Sequence, residues 1–563
     1  MNWIDWLVVI ASIGFIAGYG IWHTRRVGSA TEFLKGGDNR WWSVGLSVMA
    51  TQASAITFLS APGLGYESGL KFAQFYFGLP LAVWFISRFF IDEYYRSRVI
   101  TAYEYLERIF DLRVRLFTAF LFLLQRGMAA GITIYAPAIV LCVLFGWDLT
   151  FTCIVIGLVV IAYTVSGGTR AVSVTHRWQM GVIFLSLFIV FGILIYRIAQ
   201  QADIGTLWMA ARLTGRLDVL DWHFDLSTRY TVWSGLLGGF FLSLSYFGTD
   251  QSQVQRYLAG TDVRIARRGL YFNALLKIPM QLFILLTGVV VWMYFLSEGQ
   301  PLVFNPSLRS EIAQISNPKF KQLHSEFDAC QSSLKSLLSR KSSKTSPGEV
   351  SLLAGELHSI RQQYLQAYTW STGKEPPKDT NFIFLHFVVY HLPHGLIGLV
   401  IVMVLSAAMS STAGELNALA TTTMVDYLGR LGWVRHDSRW NLPLTRLVTL
   451  LWGLLAIGFS IAASLFDNLI EMVNIIGSLF YGTILGIFLV AFFIRNTNSG
   501  FLLGSAIVTQ SGILAIHFTK NHLPWLQIEY LWYNLLAAVC LLLANLLKAY
   551  SSAARNSDRK TSE

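Results

Sequence analysis

Charge is what this chain has least of. Asp, Glu, Lys and Arg make up 13% of its 563 residues while 54% are hydrophobic, against roughly a quarter charged in ordinary soluble domains. That balance excludes a soluble globular protein and implies a polytopic membrane protein. Cysteine is almost absent. Cys142, Cys153 and Cys540 lie in apolar runs and Cys330 stands alone in a hydrophilic stretch, so neither a disulfide framework nor a metal-ligand spacing exists. Catalytic signatures are missing too. There is no phosphate-binding loop, no His-Glu-x-x-His and no Ser/His/Asp set, which removes support for ATP-driven transport and for hydrolysis. The segment 63–69, GLGYESG, imitates a nucleotide-binding glycine loop, but it follows an apolar run rather than a strand. The net charge of +11 is no nucleic-acid signal in so apolar a chain.

Long apolar runs are what the sequence has instead. Thirteen candidates occur, near 3–22, 43–66, 71–92, 116–144, 150–166, 180–199, 232–250, 270–297, 383–424, 446–466, 468–494, 499–517 and 527–547. A helix needs about 20 residues to cross a hydrocarbon core. The first run is too long and aromatic for a signal peptide and reads as a retained span. Short loops on one side carry Arg25, Arg26, Arg96, Arg98, Arg113, Arg170, Arg256, Arg267, Arg268, Arg430, Arg439 and Arg495. The opposite loops hold few cations, among them Lys71, Arg197, Arg212 and Lys520. The positive-inside rule puts the N-terminus outside and the C-terminus in the cytoplasm of a cell (inner or plasma) membrane.

The expected organisation is an extra helix and loop over 1–42, a first five-span set over 43–199, an external loop over 200–231, a second set over 232–494, two further helices over 495–548 and a polar tail over 549–563. A hydrophilic insertion, 298–381, interrupts the second set. Phe320, Leu323, Phe327, Cys330, Leu334 and Leu337 recur at helical spacing in it, as do Leu353, Leu357, Ile360, Tyr364 and Ala367. The polar stretch 341–348 separates them, which predicts an external helical hairpin with an apolar seam. His386, His391 and His394 cluster near the outer membrane edge, where interfacial packing explains them better than a metal.

One stretch carries chemistry that lipid does not call for. Residues 405–424, LSAAMSSTAGELNALATTTM, are rich in hydroxyls and small residues. Ala407, Ser410 and Ser411 share a helix face. Two hydroxyls and a carbonyl can coordinate a small hard cation, or the hydroxyls can back-bond to the preceding turn. Two other runs are interrupted at comparable places. The first holds Thr51-Gln-Ala-Ser54 and Ala61-Pro-Gly63; the second holds Gly238-Gly239 and then Ser243 to Asp250. Broken helices at matching places in two halves point to a midplane site in an inverted-repeat transporter.

Four segments together resemble the sodium/solute symporters: 41–58 (WWSVGLSVMATQASAITF), 163–179 (YTVSGGTRAVSVTHRWQ), 248–257 (GTDQSQVQRY) and 395–411, which runs from Gly395-Leu-Ile-Gly to Ala407-Ala-Met-Ser-Ser411. The resemblance covers nearly the whole chain apart from 298–381. It implies an all-α membrane protein with the leucine-transporter-like fold: ten core helices in a 5+5 inverted repeat, the first and sixth broken, one helix before them and two after.

The resemblance also implies a sodium site built from the carbonyls of Ala50, Ala53 and Ala407 and the hydroxyls of Ser410 and Ser411. Five neutral oxygens suit a monovalent cation, whereas a divalent ion would call for carboxylates. Some members hold a second sodium with an Asp and further hydroxyls. Here those positions are His176, Ala413 and Gly414, which predicts one sodium per cycle. The substrate is expected at the helix breaks, among Ser54, Thr57, Ser243, Tyr246, Phe247 and Asp250, with Phe72, Gln74 and Tyr76 reaching an outer vestibule and 474–481 supplying an outer gate. Arg126, inside a span, either holds a substrate carboxylate or pairs with Asp250 or backbone carbonyls to shape the bundle. Arg88 and Lys277 are expected to snorkel.

The function so implied is sodium-coupled symport of a small polar solute, leaning to a carboxylate, in a lipid bilayer with no nucleic acid and no obligate protein partner evident. A sugar or polyol symporter is the alternative within the class. A membrane sensor on the same fold is the alternative outside it, weakened by a polar tail of only fifteen residues.

Overall fold

The apolar runs fold as helices, and no strand occurs among the described residues. The structure is a computed structural model that describes residues 2–24, 40–339, 346–377, 379–432, 441–463, 469–494, 497–520 and 528–562. Arg25, Arg26, Arg439, Arg495, the side chain of Arg170 and residues 341–345 of the polar linker lie outside the described residues.

The helices that position the site are α1 (Trp3–Thr24), α2 (Trp41–Gln52), α3 (Ala55–Ser68), α4 (Leu112–Phe145), α5 (Leu149–Gln201), α6 (Gly239–Gly248), α7 (Gln251–Leu258) and α8 (Val263–Glu298). They continue with α9 (Pro318–Ser339), α10 (Pro347–Thr372), α11 (Leu396–Thr422), α12 (Asn441–Ala462), α13 (Leu469–Phe493), α14 (Ser499–Thr519) and α15 (Leu531–Ser562). Among the described residues nine helical segments are long and apolar enough to cross a membrane, and the bent pair α2–α3 makes a tenth. Three shorter apolar helices, Trp3–Ile16, Leu149–Val165 and Ser234–Gly248, fall on further runs of the sequence. Leu185, Phe188, Leu447, Leu451, Leu454 and Leu455 are exposed on such segments, an apolar surface that only lipid covers well. The chain is a multi-pass membrane protein.

Local chemistry sets the helix limits. Asp111 caps α4 by accepting from the Val114 amide at 3.0 Å, and Gly146 ends it with φ +67. Asp262 caps α8 through the Arg264 and Ile265 amides at 2.6 and 2.9 Å. Asp5 of α1 reaches across to the start of α11, accepting from the Gly395 and Gly398 amides at 2.6 and 3.0 Å. A carboxylate at a helix N-terminus satisfies amides that have no partner within the helix.

The two expected interruptions are present, each narrower than the sequence suggests. The first lies at Ala53–Ser54, where α2 and α3 meet at 67°. The Ala61-Pro-Gly63 stretch does not break α3, which runs through Pro62 to Ser68. The neighbouring glycines serve packing: a Cβ on Gly65 would lie 2.2 Å from the Leu285 carbonyl oxygen of α8, and one on Gly63 would lie 1.9 Å from that of Thr380. The second interruption is at Thr249–Asp250, between α6 and α7. Gly238-Gly239 is no break, because a π-helical turn over Ser234–Gly238 passes directly into α6. The two runs 150–166 and 180–199 are joined helically as α5, not by an open loop.

The insertion folds as a helical hairpin with an apolar seam. Phe320, Leu323, Phe327, Cys330 and Leu334 of α9 and Leu357, Ile360, Tyr364 and Ala367 of α10 are buried in the hairpin seam. Leu338 and Val350 take the buried places expected of Leu337 and Leu353. Arg361 of α10 pairs with Asp379 at 2.8 Å, and Asp379 also accepts from the Phe304 and Asn305 amides at 2.8 Å, tying the hairpin down. Of the three histidines, His391 meets the Tyr294 hydroxyl at 3.0 Å, His394 lies 3.4 Å from Asp5, and His386 packs against Phe295 and Phe304. The terminal segment 549–562 continues α15 rather than forming a loose tail.

Candidate ion and substrate site

The break in α2–α3 places its backbone against the hydroxyl face of α11. The Ser410 hydroxyl lies 3.0 Å from the Ala50 carbonyl oxygen and 2.9 Å from that of Ala407. The Ser411 hydroxyl lies 2.9 Å from the Ala407 oxygen and 3.4 Å from that of Ala408. Part of this is ordinary back-bonding to the preceding turn. The Ser410–Ala50 contact is not, because it crosses between helices. Each hydroxyl has a single proton, so the cluster holds more oxygen lone pairs than protons to fill them. That is the electrostatic character a desolvated cation needs. Ala53, at the break, is fully buried with a non-helical ψ of 77.

The second-site positions are differently occupied. His176 meets the Ser47 hydroxyl at 3.0 Å and the Ser410 carbonyl oxygen at 3.3 Å through its two ring nitrogens. The Arg256 guanidinium, buried, donates to the Gly414 carbonyl at 3.3 Å. Ala413 is buried and brings no side-chain oxygen.

Beside the break lies a cavity of about 120 Å³. Its lining includes Ser54, Thr57, Ser243, Tyr246, Phe247 and Arg126, all expected from the sequence, and Tyr76. Phe72 and Gln74 are corrections to that expectation, for the structure places both outside the lining. Phe72 is packed among Phe75, Tyr76 and Tyr230. Gln74 donates to the Tyr230 carbonyl at 3.0 Å and accepts from the Asp221 amide at 2.9 Å, so it anchors the 200–231 connection. Asp250 caps α7 through the Ser252 amide at 2.8 Å and sits behind the cavity wall.

Arg126 is held on several sides. It donates to Asp250, to the Tyr481 hydroxyl and, at 3.1 Å, to Glu415. Tyr481 donates to Asp250 at 2.7 Å, and the Tyr246 ring lies 5.5 Å below the guanidinium. The Tyr246 hydroxyl accepts from Gln253 at 2.7 Å. Glu415 is fixed in turn by Thr133 at 3.0 Å, which also meets Thr412 at 2.9 Å. Sequence reasoning anticipated the Asp250 pairing as one of two options. It missed Glu415 as the second carboxylate and Thr133 as a wall residue. Their signal was the same one that marked Arg126, a polar residue inside an apolar run.

Arg88 is exposed, as snorkelling requires, with its guanidinium 5.5 Å from the Phe89 ring. Lys277 is not. It is 1% exposed and lines the cavity from α8. The snorkelling expectation is wrong for this residue because it sits more than three turns inside α8, too far for its stem to reach water past the helix end.

The geometry joins a cluster of carbonyl and hydroxyl oxygens to a charged cavity, both at helix breaks. The family model described as the sodium:solute symporter family matches residues 33–323 and 372–508. The chain belongs to the sodium:solute symporter family. The stretch the model skips, 324–371, falls inside the α9–α10 hairpin. This symporter is 25% identical over 494 residues to the cow sodium-coupled monocarboxylate transporter 2, covering 86% of this chain and 67% of that protein. It is 26% identical over 519 residues to the human sodium-coupled monocarboxylate transporter 1, covering 90% and 73%. Its fold matches a substrate-bound, outward-open Na+-coupled sialic acid symporter with a TM-score of 0.73 at 22% identity, over 97% of this chain and 98% of that one. The all-α membrane fold expected from the sequence is the fold of this chain, and it is the fold of that Na+-coupled symporter.

Proposed function

We propose that this chain is a sodium-coupled symporter that carries a small carboxylate-bearing solute into the cell by alternating access. The observation that carries the reading is the convergence of the Ala50 and Ala407 carbonyls with the Ser410 and Ser411 hydroxyls beside a polar cavity. Sodium bound there, with Ala53 as the fifth oxygen, bridges the broken helix to α11. It biases the bundle toward the state in which those oxygens face one another. The relatives named for sodium-coupled monocarboxylate transport favour a carboxylate as the solute.

The stoichiometry we assign is one sodium per cycle. A guanidinium against the Gly414 carbonyl already supplies positive charge where a second ion would have to bind, and His176 brings no formal negative charge to attract one. The two halves, 43–199 and 232–494, act as inverted repeats that rock around the breaks, with the N-terminus outside and the C-terminus in the cytoplasm. A sugar or polyol substrate has one observation in its favour: the Gln52 Oε1, a cavity residue, has no hydrogen-bond donor, and a hydroxyl would satisfy it.

Uptake by the protein reconstituted in liposomes tests the reading. Pyruvate and N-acetylneuraminate are compared with glucose, each under an inward gradient of sodium or of choline. Sodium-driven uptake of an acid is expected. Sodium-driven uptake of glucose alone would transfer the reading to sugars, and uptake indifferent to sodium would end it.

A further inference from the structure

Among the described residues two buried cations line the cavity, and one of them, Arg126, has a counter-ion. Arg126 is engaged by Asp250 and Glu415. Lys277 is as deeply buried, yet it makes no hydrogen bond or ion pair among the described residues. Its one interaction is with the Tyr76 ring, whose centroid lies 5.8 Å from Nζ. An ammonium in such a place has three donors and no acceptor. Proteins rarely leave a buried charge so, because the desolvation cost is met only by a partner. One turn further along α8, at i+4, the Gln281 amide is in the same condition: its oxygen accepts from Tyr76 at 3.3 Å, but its Nε2 has no acceptor.

We propose that Lys277 is the specificity-determining residue of the cavity: the group that binds the carboxylate of the transported solute, with Arg126 serving as scaffold. The inference rests on the proposed symport of an acid and names which residue selects it. For the solute to use Arg126 instead, it would have to displace two protein carboxylates already in place.

The test uses the full-length protein in detergent with Lys277→Met and Lys277→Arg. Affinities for pyruvate and for its neutral amide, and for N-acetylneuraminate, are measured by calorimetry in sodium and in choline chloride. Wild type is expected to bind an acid in sodium and to reject the matched amide. Lys277→Met is expected to weaken acid binding on the order of 30-fold or more and to lose the preference over the amide, with Lys277→Arg recovering part of both. A structural role would not alter acid-over-amide discrimination. If Lys277→Met keeps that discrimination, the inference fails while the symporter reading stands. If no acid binds and glucose binds in sodium, the carboxylate reading fails and this inference with it. If Lys277→Met does not fold, a buried charge awaiting a ligand is the wrong description and the proposal is overturned.

Discussion

Arg126 on α4 and Lys277 on α8 make an instructive pair. Both are cations inside apolar helices, both are almost completely buried, and both line the same cavity. Arg126 is surrounded by acceptors on α7, α11 and α13, and each of those is itself fixed: Asp250 by the Ser252 amide, Glu415 by Thr133, Tyr481 by Asp250. Lys277 has an aromatic face and, among the described residues, no acceptor. A planar fork with five donors suits the first place and a point charge on a flexible stem suits the second. Burial alone does not tell a scaffold cation from a ligand cation. What distinguishes them is whether the protein has already supplied the anion.

The largest expected effect breaks the scaffold side of this pair. Arg126→Met leaves Asp250 and Glu415 buried without their cation, which costs about 3–5 kcal/mol. Thermal unfolding in detergent should show the loss, and Arg126→Met combined with Glu415→Gln should show less than the single variants sum to. A smaller effect comes from a polar group that is satisfied but distant from the cavity. Gln74→Leu strands the Asp221 amide and the Tyr230 carbonyl, so stability should fall by about 1–3 kcal/mol while solute affinity measured by calorimetry stays the same.

Ser411→Ala removes one of the oxygens we propose for sodium and disturbs no ion pair. The sodium concentration for half-maximal uptake should rise on the order of tenfold, equivalent to about 1.4 kcal/mol, and an unchanged sodium dependence would remove Ser411 from the site. The smallest effect sharpens the ligand side. Gln281→Leu deletes the unpaired Nε2 one turn from Lys277 and also the acceptor of the Tyr76 hydroxyl; acid affinity should fall by about threefold, below 1 kcal/mol, with a stability loss of no more than about 1 kcal/mol for the one long hydrogen bond, and a larger fall in the unfolding midpoint would make Gln281 scaffold.

Much of this architecture was legible in the chain because membrane helices announce themselves. An apolar run of sufficient length has few alternatives in lipid, where every backbone group must be satisfied within the segment. The hydroxyl face of α11 was legible for the same reason, since Ser410 and Ser411 have no purpose against lipid. The breaks were harder to place. Proline and glycine at 61–63 and 238–239 look like interruptions, yet Gly63 and Gly65 admit the backbones of neighbouring segments and Gly235 admits the Gln74 carbonyl at 1.9 Å from a virtual Cβ. The real breaks fall at Ala53–Ser54 and Thr249–Asp250, where nothing in the residue types forbids a helix, and only tertiary packing selects them. Lys277 was misjudged because snorkelling depends on distance to the helix end, and the apolar run from 270 does not show that α8 already begins at Val263, more than three turns before Lys277. Phe72 and Gln74 were misjudged because position along a helix does not tell which face meets the cavity.

The most direct measurement is the pair of unfolding midpoints for Arg126→Met and Lys277→Met, taken side by side on ligand-free protein. Removing a compensated cation should lower the midpoint, and removing an uncompensated one should raise it, because Met fills the same space without a desolvation cost. Opposite shifts are the result this account predicts. A fall in both would mean that Lys277 is scaffold as well, and would contradict the assignment of the cavity's free positive charge to the solute.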